Sequence, residues 1–486
     1  MATPPPLRVQ RLWKLIESSG KTYESLNVLA LRCGYFDHPA AKGYRLGVNA
    51  SDWLRVTHAT ALAGPAAQLR LLFNQLARLL STLTNVIFVF DAHPAEDVML
   101  PQHVMDSFIT MTAACGFHVH TAPGDALAEL GTLSALGKID AVLTKDVRAF
   151  LYGALSVVVP VNLTHIEQVT VYEVHHILAE NRITRGDMVL AALMLEFQYH
   201  NSNAQPLIVT RALARYGFGD RLLHAIEDFG DEVPLRFIHD WTCEFIDYLR
   251  RDPLNYVGSS CETLVSSLPT LFPNLKIARG YVRPVTSTAQ VLSTQHWLLT
   301  MPDIHGILQM CIKLFSSPTG NLMFERLKPS INTGVAFRAL LQETITQDEK
   351  CKSLTRLLST QEPFTSEDSP EIKVEDCRLI HEQWILKIRI VLPVVAVDDV
   401  FCLRGASVLY VPAPLVLRAR PQCKLQLHSA LRIPNPSPNL FDILTGWVDP
   451  DIEDPTSINP EVIDLTRVDD DTVIDLTNDD SDSDHA

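Results

Sequence analysis

The sequence predicts an α/β fold: a mostly parallel sheet with helices on both faces, then a helical region, a small β-rich module and a disordered acidic tail. Three observations carry this. Up to about residue 225, short β-branched runs alternate with stretches whose apolar residues fall at helical spacing, and such alternation builds a parallel sheet covered by helices. From about 205 to 345 the pattern is mainly helical, and near 386 it switches to period two. From Asp449 to Ala486 apolar periodicity gives way to acid: 14 acidic residues stand against one basic residue, Arg467. Such a segment cannot bury enough apolar surface to fold alone.

The elements follow in order. "RLGVNASDWL" (45–54) and "NVIFVFDA" (85–92) read as strands ending in polar loops. Between them Leu69, Leu72, Phe73, Leu76 and Leu80 mark one face of a helix. "GFHVHTAP" (116–123), "DAVLT" (140–144) and "LSVVVPV" (155–161) continue the strand series. Asn49, Asp91, Asp125 and Asp146 all fall at or just after strand ends, where open α/β sheets bind their ligands. The organisation expected is a sheet domain over 1–225, a helical extension over 226–345, a polar linker over 346–371, a β-rich module over 372–448 and a tail over 449–486. In the module, Leu386, Ile388 and Ile390 alternate as a strand would.

Composition excludes several classes. The net charge of −15 sits almost wholly in the tail, which leaves 1–448 at −2. A nucleic-acid binder ordinarily carries a basic surplus, so any DNA contact here must come from local patches. The nine cysteines form no C-x-x-C pair and no Cys/His cluster at zinc spacing, which reads as reduced intracellular thiols. "MATPPPLRVQRLW" lacks an apolar signal segment, and "IVLPVVAV" (390–397) is too short to span a bilayer. No membrane partner is expected, and the protein is placed in the nucleus or, failing that, the cytosol.

"LWKLI" (12–16), "LGVNASDWL" (46–54), "IFVFD" (87–91), "APGDALAEL" (122–130) and "IDAVLTKDVRAFLYGA" (139–154) occur in this order, and "ITRGDMVLAALM" (183–194) and "ALARYGFGDRLL" (212–223) extend the series. This resembles the XPG/flap-endonuclease superfamily. "FPNLKIARGYVRPVTS" (272–287) and "PDIHGILQMCIKLF" (302–315) resemble its Holliday-junction-resolvase branch, the GEN/Yen-like type in a fungal form. The resemblance covers roughly residues 7–345. It implies a PIN-like 5′-nuclease core and, for 372–448, a chromodomain-like module.

It also implies a chemistry. Two Mg²⁺ ions about 4 Å apart would stabilise the attacking water and the leaving oxygen, held by about seven carboxylates, since Mg²⁺ takes oxygen ligands. Asp91, Asp125 and Asp146 match three of these metal-ligand and catalytic positions. Asn49, Leu127, Arg148 and Gln198 stand where the resemblance implies acids. An arginine at 148 would take the place of a cation and pair with Asp146. The basic gateway of relatives is missing, since no Lys or Arg occurs between Arg78 and Lys138. Their Gly-rich phosphate loop reads "NSNAQPLIV" (201–209) here, which removes the close backbone approach that glycine allows. Arg211, Arg215 and Arg221 remain as DNA-binding candidates. The plainer alternatives are that Asp91 and Asp125 cap helices, that Asp146 is half of an ion pair with Arg148 or Lys145, and that the three arginines form a solvated face.

The tail holds an intact motif. "VIDLT" occurs at Val462–Thr466 and again at Val473–Thr477, each copy followed by aspartates. Val462, Ile463, Leu465, Val473, Ile474 and Leu476 resemble a tandem SUMO-interacting motif. In that mode a short β-branched segment adds a strand to a sheet edge, and acidic flanks meet a basic rim. "IKVE" (372–375) fits the pattern for SUMO attachment, with Lys373 as acceptor. The reading is therefore an XPG/GEN-like structure-specific endonuclease homologue with an impaired site, acting as a SUMO-binding scaffold associated with DNA repair. Its partners would be SUMO or SUMO-modified proteins and branched or flapped DNA. The alternative is an active endonuclease, Mg²⁺-dependent, that cuts 5′ flaps or Holliday junctions with a divergent metal site.

Overall fold

A parallel strand covered on both faces needs no polar side, and "TNVIFVF" supplies such a strand: all seven residues of β3 (Thr84–Phe90) are buried. The computed structural model describes residues 9–23, 25–31, 33, 43–61, 64–92, 101–162, 165–197, 214, 216–251, 265–266, 268, 272–315, 318–354, 371–380, 383–391, 395–396, 402–403, 406–420 and 423. Residues 1–436 cluster as one compact unit and 437–486 as a second; the second lies outside the described residues.

The central sheet contains β1 (Lys21–Tyr23), β2 (Tyr44–Asn49), β3, β4 (His118–Thr121), β5 (Ala141–Leu143), β6 (Ser156–Asn162) and β7 (His165–Glu173), in the order β1-β7-β6-β5-β2-β3-β4. β6, β5, β2, β3 and β4 run parallel; β7 joins β6 antiparallel, and β1 joins β7 antiparallel and so runs again with the parallel set. The chain passes from β2 outward through β3 to β4, then returns to β5 on the other side of β2. The order therefore reverses at β2, and a crevice opens at the carboxyl ends of β2, β3 and β5.

Helices α1 (Trp13–Ile16), α2 (Leu26–Leu31), α3 (Ala50–Thr60), α4 (Pro65–Leu80), α5 (Gln102–Ala114), α6 (Ala126–Ala135), α7 (Arg148–Leu151), α8 (Val174–Asn181) and α9 (Arg185–Phe197) intervene. On α4, Leu72, Phe73, Leu76 and Leu80 are buried as their spacing predicts. α9 crosses α10 (Phe218–Phe229) with no room to spare: a Cβ at Gly219 would lie 2.4 Å from the Gly186 carbonyl carbon. Beyond α10 come α11 (Leu235–Arg251), α12 (Leu275–Val282), α13 (Ala289–Thr294), α14 (Ile304–Phe315) and α15 (Pro318–Leu354). Beside β4, His118 Nε2 lies 2.6 Å from the Leu298 carbonyl oxygen, and Asp303 N donates to Ala114 O of α5 at 2.8 Å.

The polar stretch expected to open as a linker at 346 does not begin there. α15 continues to Leu354, because "TQDEKCKSL" holds strong helix formers and neither proline nor glycine. α15 packs on α4 and on α16 (Ala413–Ala419). Arg420 Nε and Nη2, just after α16, each lie 2.9 Å from a Glu343 carboxylate oxygen. The β-rich module is a three-stranded antiparallel sheet, β12-β9-β8, of β8 (Glu371–Ile380), β9 (Gln383–Val391) and β12 (Ala406–Pro412). A small ladder joins β10 (Val395–Ala396) to β11 (Cys402–Leu403). Leu386, Ile388 and Ile390 all point inward and are fully buried. Residues of the expected module beyond 423 lie outside the described residues.

Candidate functional site

Four elements meet where the sheet order reverses. Asn49 ends β2 and caps α3, its Oδ1 accepting from Asp52 N at 3.3 Å. Asp91 follows β3 directly. Its Oδ1 accepts from Ala126 N at 2.6 Å, and its own N–H donates to Ser51 Oγ at 3.4 Å. Asp125 caps α6, its Oδ1 accepting from Leu127 N at 2.7 Å and Ala128 N at 3.3 Å. Asp91 and Asp125 thus share the amino end of α6, where orphan N–H groups and the helix dipole favour negative charge. Leu127, at the next position where an acid would be implied, is buried in the core.

Asp146 follows β5 and is differently placed. Its Oδ1 accepts from Gln10 Nε2 at 2.8 Å and from Arg148 N at 2.9 Å. Its Oδ2 accepts from Arg148 Nε at 2.9 Å and Nη2 at 2.7 Å. A carboxylate offers about four lone-pair positions, and here the chain itself fills them. The pair is nearly dry, with side-chain exposures of 14% for Arg148 and 9% for Asp146. Burial works against the Arg148 charge, but the hydrogen bonds and charge of Asp146, with Tyr152 and Asp125 beyond, outweigh it and raise the guanidinium pKa. Burial also raises the Tyr152 hydroxyl, helped by Asp125.

A fourth carboxylate escaped the reading of the sequence. Asp52 stands in the first turn of α3 and pairs with Arg55. Burial pushes its carboxyl up to about 6, Arg55 and Arg148 opposing and Asp146 and Asp91 adding to the rise. Asp125 is likewise raised by burial, with Arg148 opposing and Asp91 adding to it. These acids do not converge as a preformed metal cage. Among the described residues, three His, Cys, Asp or Glu ligand atoms lie mutually within 4.8 Å only at Glu173, His175 and His176, elsewhere in the fold.

A carboxyl whose folded pKa lies above its unfolded value favours the protonated native state. Its contribution is fully present below about pH 4 and is lost as pH rises through about 6. Asp52→Asn should therefore stabilise the protein at pH 7 by on the order of 1–2 kcal/mol, allowing for a partly solvated side chain. It should also flatten the dependence of stability on pH between those values. Urea unfolding from pH 4 to pH 7 measures both, and an unchanged pH profile in the variant would refute the assignment.

Among the arginine candidates, Arg221 is engaged: Nη1 lies 2.6 Å from Glu244 Oε2, and the guanidinium sits 5.7 Å over the Phe218 ring. Gln198, Arg211 and Arg215 lie outside the described residues, as do both VIDLT copies with Val462, Ile463, Leu465, Val473, Ile474 and Leu476. Lys373 is exposed on β8, while Ile372 and Val374 beside it are buried. Glu375 is held by Arg389 at 2.6 Å and Lys387 at 3.7 Å. No helix among the described residues is long and apolar enough to cross a membrane.

Comparison with known proteins agrees with this geometry. Residues 116–196 match the XPG I-region, the segment from β4 through α9 that carries Asp125, Asp146 and Arg148. That segment is thus similar to the XPG/flap-endonuclease superfamily. Further similarity is to proteins of the GEN type. Flap endonuclease GEN-like 1 of Arabidopsis thaliana is 28% identical over 118 residues, a match spanning 24% of this chain and 20% of that relative's length. A eukaryotic junction-resolving enzyme GEN-1 bound to potassium superposes with a TM-score of 0.64 at 22% identity, over 87% of this chain and 100% of that one. A Holliday junction-resolving enzyme GEN1 with product DNA, Mg²⁺ and Mn²⁺ gives 0.62 at 22% identity, over 87% and 99%. Human GEN1 with Holliday junction DNA gives 0.56 at 15% identity, over 85% and 96%. At these identities the structures share the fold.

Proposed function

We propose that this protein is a structure-specific DNA nuclease homologue of the XPG/GEN type whose cutting site is impaired, and that it serves in the nucleus as a scaffold binding branched or flapped DNA through its core and SUMO-modified proteins through its tail. The observation that carries the impairment is the saturation of Asp146 by Gln10 and Arg148. A second metal ion has no lone pair to bind there, and Arg148 brings positive charge to the same spot. Asn49 spends its side chain on a helix cap, and Leu127 offers no donor. The residues present do not fit a two-ion Mg²⁺ centre.

The alternative, an active Mg²⁺-dependent endonuclease, draws on one observation. Among the described residues, Asp91 and Asp125 each accept hydrogen bonds through Oδ1 alone. The deciding experiment is cleavage of labelled 5′-flap and four-way-junction DNA in Mg²⁺ and in Mn²⁺, with Asp91→Ala as control. The proposal expects no cutting at micromolar protein with retained junction binding in a gel-shift assay. Cutting that disappears in Asp91→Ala would overturn the impairment, and absence of binding would leave a protein-only adaptor.

Support for the SUMO arm is the exact repeat of VIDLT within an acidic segment. Two copies on one tether raise avidity for SUMO chains when both engage. Alanine at Val462, Ile463, Val473 and Ile474 together should abolish capture of SUMO chains by the full-length protein, and alanine in one copy should weaken it. Capture that survives the fourfold variant would sink this arm. Within the same reading Lys373 is the SUMO acceptor. Its exposed amine favours that role, while the buried Ile372 and the paired Glu375 leave less of the motif to read.

A further inference from the structure

At the opposite end of the sheet, a second group of side chains converges. Glu173 closes β7 and lies opposite Ser156, the first residue of β6. It therefore stands level with the amino ends of the parallel strands, whereas the aspartates stand at their carboxyl ends. His175 and His176 follow in the first turn of α8. His176 Nδ1 lies 3.2 Å from Glu173 Oε2, and His175 Nε2 lies 3.8 Å from the same oxygen. The two imidazole rings are 4.0 Å apart between centroids and tilted by 48°. One ligand atom from each of the three side chains lies within 4.8 Å of the other two.

We propose that Glu173, His175 and His176 form a binding site for a divalent transition ion of the zinc class. Zinc bonds of about 2.0–2.1 Å place neighbouring ligand atoms of a tetrahedron about 3.3 Å apart. The separations of 3.2 and 3.8 Å from Glu173 Oε2 bracket that edge, so small side-chain rotations complete the geometry. Two imidazoles and one carboxylate form a donor set that favours zinc, copper or nickel over magnesium and calcium. The fourth position faces water, since the His175 side chain is 71% exposed. All three ligands belong to one tetrapeptide that is already ordered by the β7 ladder and by α8, so little chain entropy opposes binding. Glu173 is available for this role because its side chain makes no cap bond to α8. An ion here would pin the β7–α8 junction, and it acts independently of the nuclease-like crevice.

The test is titration of the full-length chain with Zn²⁺, and separately with Co²⁺ as a spectroscopic probe. The wild type should bind one equivalent more than the variant His175→Ala/His176→Ala. The Co²⁺ complex lost in the variant should show d–d bands without thiolate charge transfer, which separates this site from the nine cysteines. Glu173→Gln should weaken binding at least about tenfold. Without metal, the variants should unfold at the same urea concentration as the wild type. Equal stoichiometry in wild type and the double variant, or no Zn²⁺ uptake by the wild type, overturns the proposal.

Discussion

Replacing Arg148 by alanine is expected to lower the free energy of unfolding by about 3–5 kcal/mol and to make the stability of the protein respond to divalent cations. In the native chain Arg148 gives Asp146 three of its four hydrogen bonds, two of them from the side chain. It also faces Asp125 and Asp52, whose carboxyls its charge pulls down against burial. Alanine leaves Asp146 buried, holding only Gln10 and a backbone N–H, with three further acids near it. An uncompensated buried charge is costly, and a cation that binds the folded state alone recovers stability by mass action. Urea unfolding with and without millimolar Mn²⁺ should show little effect of the ion on the wild type and a clear rise in midpoint for Arg148→Ala. Arg148→Lys should fall between, since an ammonium keeps the charge but loses the planar fork. If Mn²⁺ stabilised the wild type as strongly as the variant, Arg148 would not occupy the place of a cation.

The second large effect is expected at Glu129. It lies on α6 with no exposed surface, 2.8 Å from His120 Nε2, and accepts from Ser287 N at 2.8 Å. The Trp297 ring packs against His120 at 5.7 Å. Glu129 therefore ties the segment after α12 to the helix whose amino end holds Asp91 and Asp125. Glu129→Ala strands a buried imidazole and a half-buried N–H, and should cost about 3–5 kcal/mol. Glu129→Gln keeps the shape and one acceptor, and should cost less. Burial alone would raise this carboxyl, but the hydrogen bonds from His120 and Ser287 outweigh it and hold it below its ordinary value. The sign is thus opposite to that at Asp52: the contribution is present above the ordinary glutamate pKa and is lost as pH falls through the lower folded value. Wild type and Glu129→Ala should therefore converge in stability toward pH 3. A constant gap from pH 7 to pH 3 would show that packing, not the charged contact, carries the effect.

Much of this was legible in the chain. β3 is a buried apolar run bounded by a polar turn, and α4 carries a stripe at helical spacing; both are local patterns that survive any context. The pairing of Arg148 with Asp146 was legible too, because residues two apart around a helix start meet whatever the rest of the fold does. The cap roles weighed for Asp91 and Asp125 have a geometric counterpart, with Asp125 capping α6 and Asp91 reaching the same helix from the neighbouring strand.

Other features were hidden. The alternation in "HIEQVTVYE" is interrupted by polar residues, so β7 emerges only through its antiparallel ladder with β6 and β1. Asp52 carries no strand-end signal in the sequence, because it lies within a helical stretch. α3 starts at Ala50, immediately after β2, and three residues of helix advance only about 4.5 Å along the axis while turning most of the way round. A carboxylate placed there stays near the end of the strand. Gln10 lies 136 residues from Asp146, and no spacing rule links them.

The sequence by itself determined the alternating sheet, the amphipathic helices and the acidic tail, which depend on composition and short-range periodicity; that Asn49, Leu127 and Arg148 stand in place of acids is what the family resemblance implies. Only the tertiary structure decided that Asp146 is saturated, that Asp52 joins the crevice, that Glu129 binds a distant segment, and that Glu173 meets His175 and His176 with ligand atoms converging. Hydrogen bonds and charges act over a few ångströms of space, and the chain brings those groups together only when it folds.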